Sequence, residues 1–102
     1  MATIPYSSSD YLQTDDDVIE YLNAAMEDGD NHVLLLALRN VAIAKGGFAK
    51  LADITGLNRE SLYKTLSEQG NPHYETVAAI MRGLGFRFAI LPNQISSHQQ
   101  AA

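Results

Sequence analysis

The chain contains no cysteine, and this absence excludes several kinds of chemistry. Without thiols there are no disulfides and no thiolate nucleophile, which suits a cytoplasmic protein. The sequence also lacks an apolar run near the ~20 residues that a membrane-spanning helix needs, so we expect no membrane contact. The N-terminus has no basic region followed by an apolar core, and we therefore expect no secretion signal.

The motifs of common catalytic sites are missing as well. The histidines are His32, His73 and His98, and no two of them have the spacing of a helical metal-binding pair. There is no glycine-rich phosphate-binding loop. The carboxylates cluster at a predicted helix start, where capping explains them. We therefore expect no enzyme activity, no metal site and no cofactor.

Positive charge is absent from the first third of the chain. Residues 1–38 hold eight acids and no lysine or arginine, whereas residues 39–102 hold seven bases and four acids. The net charge of −5 therefore divides into −8 and +3. Such asymmetry indicates two surfaces with different partners, and the acidic part would suit a basic protein.

The rest of the sequence predicts one helical domain between two flexible ends. A chain of 102 residues is long enough for one modest core. Thr14 and the aspartates after it favour a helix start, because they cap free amides and face the positive end of the helix dipole. We expect helices over about 14–27, 31–45, 48–54, 59–66 and 74–84, with the domain at 14–92 and flexible segments at 1–13 and 93–102.

The apolar positions of the first two helices predict how they are buried. The apolar face of the first helix is expected to be Val18, Leu22, Ala25 and Met26, with Ile19 beside it. The second helix carries so many apolar residues that it should be central: Leu34, Leu35, Leu38, Val41 and Ala42. Arg39, Asn40 and Lys45 should mark its solvent side.

A short strand is predicted after the last helix. The residues from Phe86 to Leu91 are mostly aromatic or branched, and Pro92 would stop the strand. A lone strand leaves its backbone groups unpaired. We expect it to pair with a second copy of the chain through Phe86, Phe88 and Ile90, or to join a sheet in another protein. The alternative is an extended tail that covers the core.

The stretch from Gly47 to Leu66 has the pattern of a helix-turn-helix. Gly56 should end the first helix in the left-handed conformation, which glycine adopts without a Cβ clash. Asn58 should cap the second helix. The side chains predicted to point inward are Leu51, Ala52, Ile54, Leu62 and Leu66. Such motifs place their second helix in the DNA major groove, although an ordinary helical hairpin has the same pattern.

The polar residues outside the second helix are the candidates for contact with double-stranded DNA. Arg59 is the strongest candidate for reading a base, with guanine as its partner. Asn58, Ser61 and Tyr63 are further candidates for base edges. Lys64, Lys50 and Lys45 are expected at phosphates, which makes binding fall steeply with salt. Asn71, His73 and Tyr74 are expected near the DNA backbone, with a plain surface role as the alternative for His73.

The run from Gly56 to Pro72 resembles a known family. The pattern is glycine, leucine, any residue, arginine, two of any kind, leucine, tyrosine, lysine, any residue, leucine, and then glycine-asparagine-proline. It resembles the addiction-module antidote proteins with a Cro/CI-type helix-turn-helix, which are antitoxins paired with RelE/ParE-like toxins. Residues 21–25, the acid-glycine-aspartate turn after them, Thr76-Val77 and residues 83–85 continue the likeness, which spans about residues 10–91.

The resemblance implies both a fold and a function. The fold would be all-α: a five-helix lambda-repressor-like helix-turn-helix domain with one short C-terminal β-strand. The protein would be a homodimer that represses its own operon and neutralises a toxin encoded beside it. Such toxins are small basic ribonucleases that act on ribosome-bound message, or relatives that act on gyrase.

The acidic first part of the chain is the candidate surface for the toxin. The residues expected there are Asp15, Asp16, Asp17, Glu20 and Glu27, with a solvated face as the alternative. Two other functions compete with that of an antitoxin. One is a phage-type repressor without a toxin, and the other is a module that binds only proteins.

Overall fold

The computed structural model describes residues 11–67 and 69–93, and this part of the chain contains five helices. They are α1 (Asp15–Glu27), α2 (Asn31–Ala44), α3 (Gly47–Thr55), α4 (Arg59–Thr65) and α5 (Tyr74–Gly83). The prediction of five helices is confirmed, and their bounds lie close to the expected ones. The predicted flexible ends fall mostly outside the described residues.

Side chains cap the first two helices, and the cap at Thr14 confirms the prediction for the first of them. The Thr14 hydroxyl accepts from the Asp17 N–H at 3.1 Å, while the Asp17 carboxylate accepts from the Thr14 N–H at 3.1 Å. This reciprocal capping box starts α1. Gly29 follows α1 with φ of +87°, and the Asp30 side chain caps α2 by accepting from the His32 N–H at 2.9 Å. These bonds span at most three residues, which is why local sequence predicts them.

Helix α2 forms the centre of the core. Its Leu38, Val41 and Ala42 are fully buried, and α2 packs against both α1 and α3. The other four helices add further buried apolar side chains, among them Val18, Leu22, Ala25, Phe48, Leu51, Leu62, Ala78, Ile80 and Met81. Leu12, just before α1, is also buried against this cluster. The predicted central position of α2 is therefore confirmed.

No single helix among the described residues is long and apolar enough to cross a membrane. Helices α2 and α3 together reach the length and composition of such a span, but they are bent by 100° at the break between them. That bend follows from Gly46 and Gly47, whose φ angles of +118° and +91° interrupt the helical path.

Three apolar residues that were expected in or beside a buried face lie at the surface. Ile54 is exposed because Phe48 and Leu51, three residues apart, set the inward face of α3 and leave Ile54 at its edge. Met26 and Ile19 are 45% and 44% exposed, since α1 buries only the stripe of Val18, Leu22 and Ala25. The expectation of burial was therefore wrong for Ile54 and Met26.

The predicted C-terminal strand is absent from the described residues. Residues 86–93 form no strand, because the described part of the chain offers no second strand for pairing. The Phe86 N–H instead donates to the Met81 carbonyl at 3.0 Å. Phe86 and Phe88 are half-buried against the core, whereas Ile90 is 98% exposed. The segment follows the alternative expectation of an extended tail that partly covers the core.

Candidate nucleic-acid interface

The turn between α3 and α4 is built by Gly56 and Asn58. Gly56 has φ of +79°, and its N–H donates to the Ala52 carbonyl at 2.8 Å. The Asn58 side-chain oxygen accepts from the N–H groups of Glu60 at 2.8 Å and Ser61 at 3.2 Å. Both predicted caps are confirmed. They set the direction in which α4 leaves the turn.

Helix α4 has one buried side and one free side. Leu62 and Leu66 are 1% and 0% exposed, as the four-residue spacing predicts. The outward side chains belong to Arg59, Glu60, Ser61, Tyr63 and Lys64, and all of them are exposed. Because two buried leucines hold α4 in the fold, its polar side can contact a large partner while the helix stays folded.

The structure brings most of the predicted DNA-binding residues together along α4. Asn58, Ser61, Tyr63 and Lys64 line one shallow groove, which Glu60 and Ser67 complete. Arg59 lines an adjoining hollow with Asn58, Glu60 and Tyr63. This surface offers amide, hydroxyl, guanidinium and ammonium groups, the donors and acceptors that read base edges and phosphates. Among the described residues that line the two hollows, Glu60 is the one carboxylate.

Tyr63 is held in place although it is exposed. Its ring stacks on Phe48 of α3, with 4.4 Å between ring centroids and 26° between ring planes. The Arg39 guanidinium carbon lies 5.7 Å from the Phe48 centroid and 5.9 Å from the Tyr63 centroid. Tyr63 remains 46% exposed, so its free part is presented on the outer side of α4.

The loop after α4 extends the groove. Lys64, Gln69 and Asn71 line a hollow with Pro72 and Gly70. Gly70 is required there, because a Cβ at this position would lie 2.0 Å from the Thr65 carbonyl oxygen. His73 lies at the N-cap position of α5, without a side-chain cap bond, and is exposed. Tyr74 is 70% exposed, and its ring lies 5.8 Å from that of Phe88.

The other two predicted phosphate-binding lysines lie in a different place. Lys45 and Lys50 line a cleft of about 230 Å³ together with Arg82, and none of its lining residues within the described part of the chain is a carboxylate. This cleft shares no lining residue with the α4 grooves. The Lys45 ammonium lies 3.5 Å from the Asp15 carboxylate and 5.4 Å from the Phe86 ring centroid. Lys45 is therefore less free than Lys50 to meet a phosphate.

The acidic residues of α1 divide into two groups. Asp15 contacts Lys45, and the Asp17 carboxylate accepts from two backbone N–H groups, those of Thr14 at 3.1 Å and Gln13 at 3.2 Å. The bond from the Thr14 N–H is the main cause that lowers the pKa of Asp17. Asp16, Glu20 and Glu27 line a shallow groove on the outer side of α1 with Asp17, Ile19, Asn23 and Ala24.

Two basic residues near these surfaces were missed as functional candidates. Arg39 was expected on the solvent side of α2 but is half-buried and donates to the Leu66 carbonyl at 3.2 Å. Arg82 gave no signal, because its cleft forms only when the end of α5 meets α3. The one hint for Arg39 was a charged residue within an otherwise apolar helix. Asn40, also expected in solvent, donates to the Tyr21 hydroxyl at 2.8 Å.

Comparison with known proteins identifies the family of this chain. Residues 2–92 match the family model described as "Probable addiction module antidote protein". An uncharacterized protein of Haemophilus influenzae (strain Rd) is 31% identical over 85 residues, which cover 83% of this chain and 87% of the relative. No solved structure gives a significant match. The chain therefore belongs to the family of probable addiction module antidote proteins.

Proposed function

We propose that this protein is the antitoxin of a type II toxin–antitoxin module. It would neutralise a cognate toxin and repress its own operon by binding operator DNA through a lambda-repressor-like helix-turn-helix formed by α3 and α4. Membership of the antidote family supports the pairing with a toxin. The observation that carries the DNA-binding half is the exposed polar side of α4, anchored by buried Leu62 and Leu66.

DNA recognition would use two copies of the chain. A symmetric dimer places two recognition helices in successive major grooves, roughly 34 Å apart, on a near-palindromic operator in the cytoplasm. Arg59 would read guanine, with Asn58, Ser61 and Tyr63 beside it. Lys64, Lys50 and Asn71 would meet phosphates, with Lys45 and His73 further along the backbone. Phe86, Phe88 and the exposed Ile90 remain our candidates for the contact between copies.

An operator titration with Arg59→Ala tests the DNA-binding half. We expect the variant to lose about 1–3 kcal/mol of binding free energy for a bidentate base contact and to keep its thermal stability. Arg87→Ala is the matched control, because it removes the same charge from an exposed position after α5. The DNA is the region upstream of the gene, at fixed salt. Equal affinity of Arg59→Ala and the wild type would rule out this role.

The toxin-binding half would use the outer side of α1. Asp16, Glu20 and Glu27 form an acidic row with no base in their groove, which suits a basic protein. Asp15 and Asp17 were also expected there, but their carboxylates already bind Lys45 and the capping amides. We therefore assign the larger share of the toxin contact to Glu20 and Glu27, with Asp15 and Asp17 at the edge.

The neighbouring open reading frame provides the partner for the second test. The family resemblance implies that this frame has about one hundred codons and encodes a small basic protein. That protein would be co-expressed with this chain. We expect Glu20→Lys to weaken the complex, whereas Glu75→Lys, the same change at an exposed position of α5, should leave it intact. Operator binding without such a neighbour would indicate a repressor without a toxin. A toxin complex without operator binding would indicate a module that binds only proteins.

A further inference from the structure

Arg39 joins the central helix to the far end of α4. Its Nη1 donates to the Leu66 carbonyl at 3.2 Å, across 27 residues of sequence. Leu66 is the C-cap of α4, and a cation there is favoured because the last carbonyls of a helix carry partial negative charge. The same guanidinium lies within 6 Å of the Phe48 and Tyr63 ring centroids, the range of a cation–π contact.

Among the described residues, no carboxylate forms an ion pair with Arg39. Within residues 11–67 and 69–93, no acid lies within 4.0 Å of its guanidinium. Its guanidinium contacts one carbonyl and two aromatic rings, and all three belong to α3, α4 or the α4 C-cap. These three contacts therefore join the half-buried Arg39 of α2 to the α3–α4 unit.

We propose that Arg39 is a positioning residue for DNA recognition: it sets the orientation of α4 and of the Tyr63 ring without touching DNA. The proposal rests on the proposed DNA-binding function. The hydrogen bond holds the C-terminal end of α4, and the ring contacts hold Tyr63 against Phe48. Asn58 holds the other end of α4 through its cap, so the recognition surface is held at both ends.

Arginine suits this position better than lysine does. A planar guanidinium can stack on aromatic faces while its edge donates to a carbonyl, whereas an ammonium is a compact point charge. Arg39→Lys should therefore keep the positive charge but lose part of the ring stacking and of the hydrogen-bond geometry. Arg39→Met should lose both contacts but keep an unbranched side-chain stem and a similar helix propensity.

The test of this positioning role compares Arg39→Met and Arg39→Lys with a matched control. Asn40→Ala removes a half-buried hydrogen bond from the adjacent position of α2, and that bond leads to Tyr21 of α1, away from α4. The first readout is the NMR shift of the Tyr63 ring protons in the full chain without DNA. The second is operator affinity as a function of salt, measured well below the thermal midpoint of each variant.

We expect Arg39→Met to shift the Tyr63 ring signals and to lose about tenfold in operator affinity, equivalent to about 1.4 kcal/mol. The slope of affinity against salt should stay the same, because no phosphate contact is removed. Arg39→Lys should fall between Arg39→Met and the wild type. Asn40→Ala should keep both the Tyr63 shifts and the operator affinity.

Three results would overturn the proposal. Unchanged Tyr63 signals in both Arg39 variants would show that the guanidinium does not hold the ring. A salt slope reduced by about 1 would show that Arg39 contacts a phosphate directly. An equal loss of affinity in Asn40→Ala would show a general effect of stability. If the wild-type chain binds no operator, the proposed function fails, and the ring signals alone still decide whether Arg39 positions Tyr63.

Discussion

The ring of Tyr63 stacks on the ring of Phe48, and this contact joins the outer helix of the α3–α4 unit to the inner one. Phe48 is 5% exposed and Tyr63 is 46% exposed, so one ring belongs to the core and the other to the surface. The ring face of Tyr63 packs against Phe48, and this leaves the Tyr63 hydroxyl available for another contact. The two roles of Tyr63 can therefore be separated by substitution.

Tyr63→Phe should keep the fold and weaken operator binding. The ring stays stacked, so we expect a change of less than about 0.5 kcal/mol in the free energy of unfolding. Loss of a hydroxyl contact to DNA should cost about 1 kcal/mol of binding free energy. Chemical denaturation and operator titration measure the two effects. Tyr63→Ala is the contrast, because it should lower both stability and affinity. Wild-type affinity in Tyr63→Phe would remove the hydroxyl from the interface.

Two substitutions of Asn58 also separate an effect on folding stability from an effect on DNA binding. Asn58→Ala should lower the free energy of unfolding by about 1 kcal/mol, because two amides of α4 lose their acceptor. Asn58→Asp should keep the stability, since aspartate caps as well as asparagine. The added negative charge would lie close to the negatively charged DNA, and it should weaken operator binding by about 1 kcal/mol or more. An Asn58→Asp variant with undiminished affinity would place this end of α4 away from the DNA backbone.

Gly83→Ala should destabilise the protein, although alanine usually stabilises a helix. A Cβ at position 83 would lie 2.6 Å from the Thr55 methyl carbon and 3.2 Å from Leu51 Cδ1. The Thr55 rotamer is fixed, because its hydroxyl donates to the Leu51 carbonyl at 2.8 Å and accepts from the Leu57 N–H at 3.2 Å. We expect a net loss of about 1–3 kcal/mol in thermal or denaturant unfolding.

The pair Gly83→Ala with Thr55→Ser tests that explanation. Serine keeps the hydroxyl bonds of Thr55 and removes the methyl group that the new Cβ would meet. The double variant should recover most of the stability lost by Gly83→Ala, with Thr55→Ser alone as the baseline. A double variant no more stable than Gly83→Ala would show that the contact with Thr55 is not the cause.

We predict that the Asp17 carboxylate contributes to the stability of the fold and that acid removes this contribution. Its pKa is lowered below 3.8 by the N–H donated from Thr14, so the folded state favours the charged carboxylate. The contribution is present above the unfolded value of about 3.8 and disappears as pH falls through the lower folded value. Asp17→Asn should therefore melt below the wild type at neutral pH, and this gap in Tm should close in strong acid.

Asp16→Asn is the control for Asp17→Asn. It removes one negative charge from the same turn of α1 and leaves the capping box complete. We expect Asp16→Asn to stay closer to the wild type than Asp17→Asn at neutral pH. A gap between wild type and Asp17→Asn that stayed constant from neutral pH to about pH 2 would contradict the assignment.

Local features of the sequence predicted the helices and their ends well. Thr14, Gly56 and Asn58 act through bonds or backbone angles within a few residues, and the structure shows each of them in the expected place. The four-residue spacing of Leu62 and Leu66 also predicted their burial. The outward side of α4, which carries the candidate site, follows from the same spacing.

The predicted strand and the grouping of the basic residues show where sequence patterns stop being sufficient. A strand needs a partner, and branched residues after Gly85 cannot reveal whether one exists. Lys45 and Lys50 were grouped with Lys64 by charge alone, yet they lie with Arg82 in a separate cleft. Which bases share a surface depends on how α2, α3 and α5 meet, and that information is not local.

The sequence by itself determined where α1 to α5 begin and end, because capping bonds and glycine conformations act between neighbours in the chain. Tertiary structure alone decided that Ile54 is exposed, that Arg39 is half-buried and that Tyr63 is stacked on Phe48. The physical reason is distance along the chain. Arg39 meets Leu66 across 27 residues, and only the packing of α2 against the α3–α4 unit brings them together.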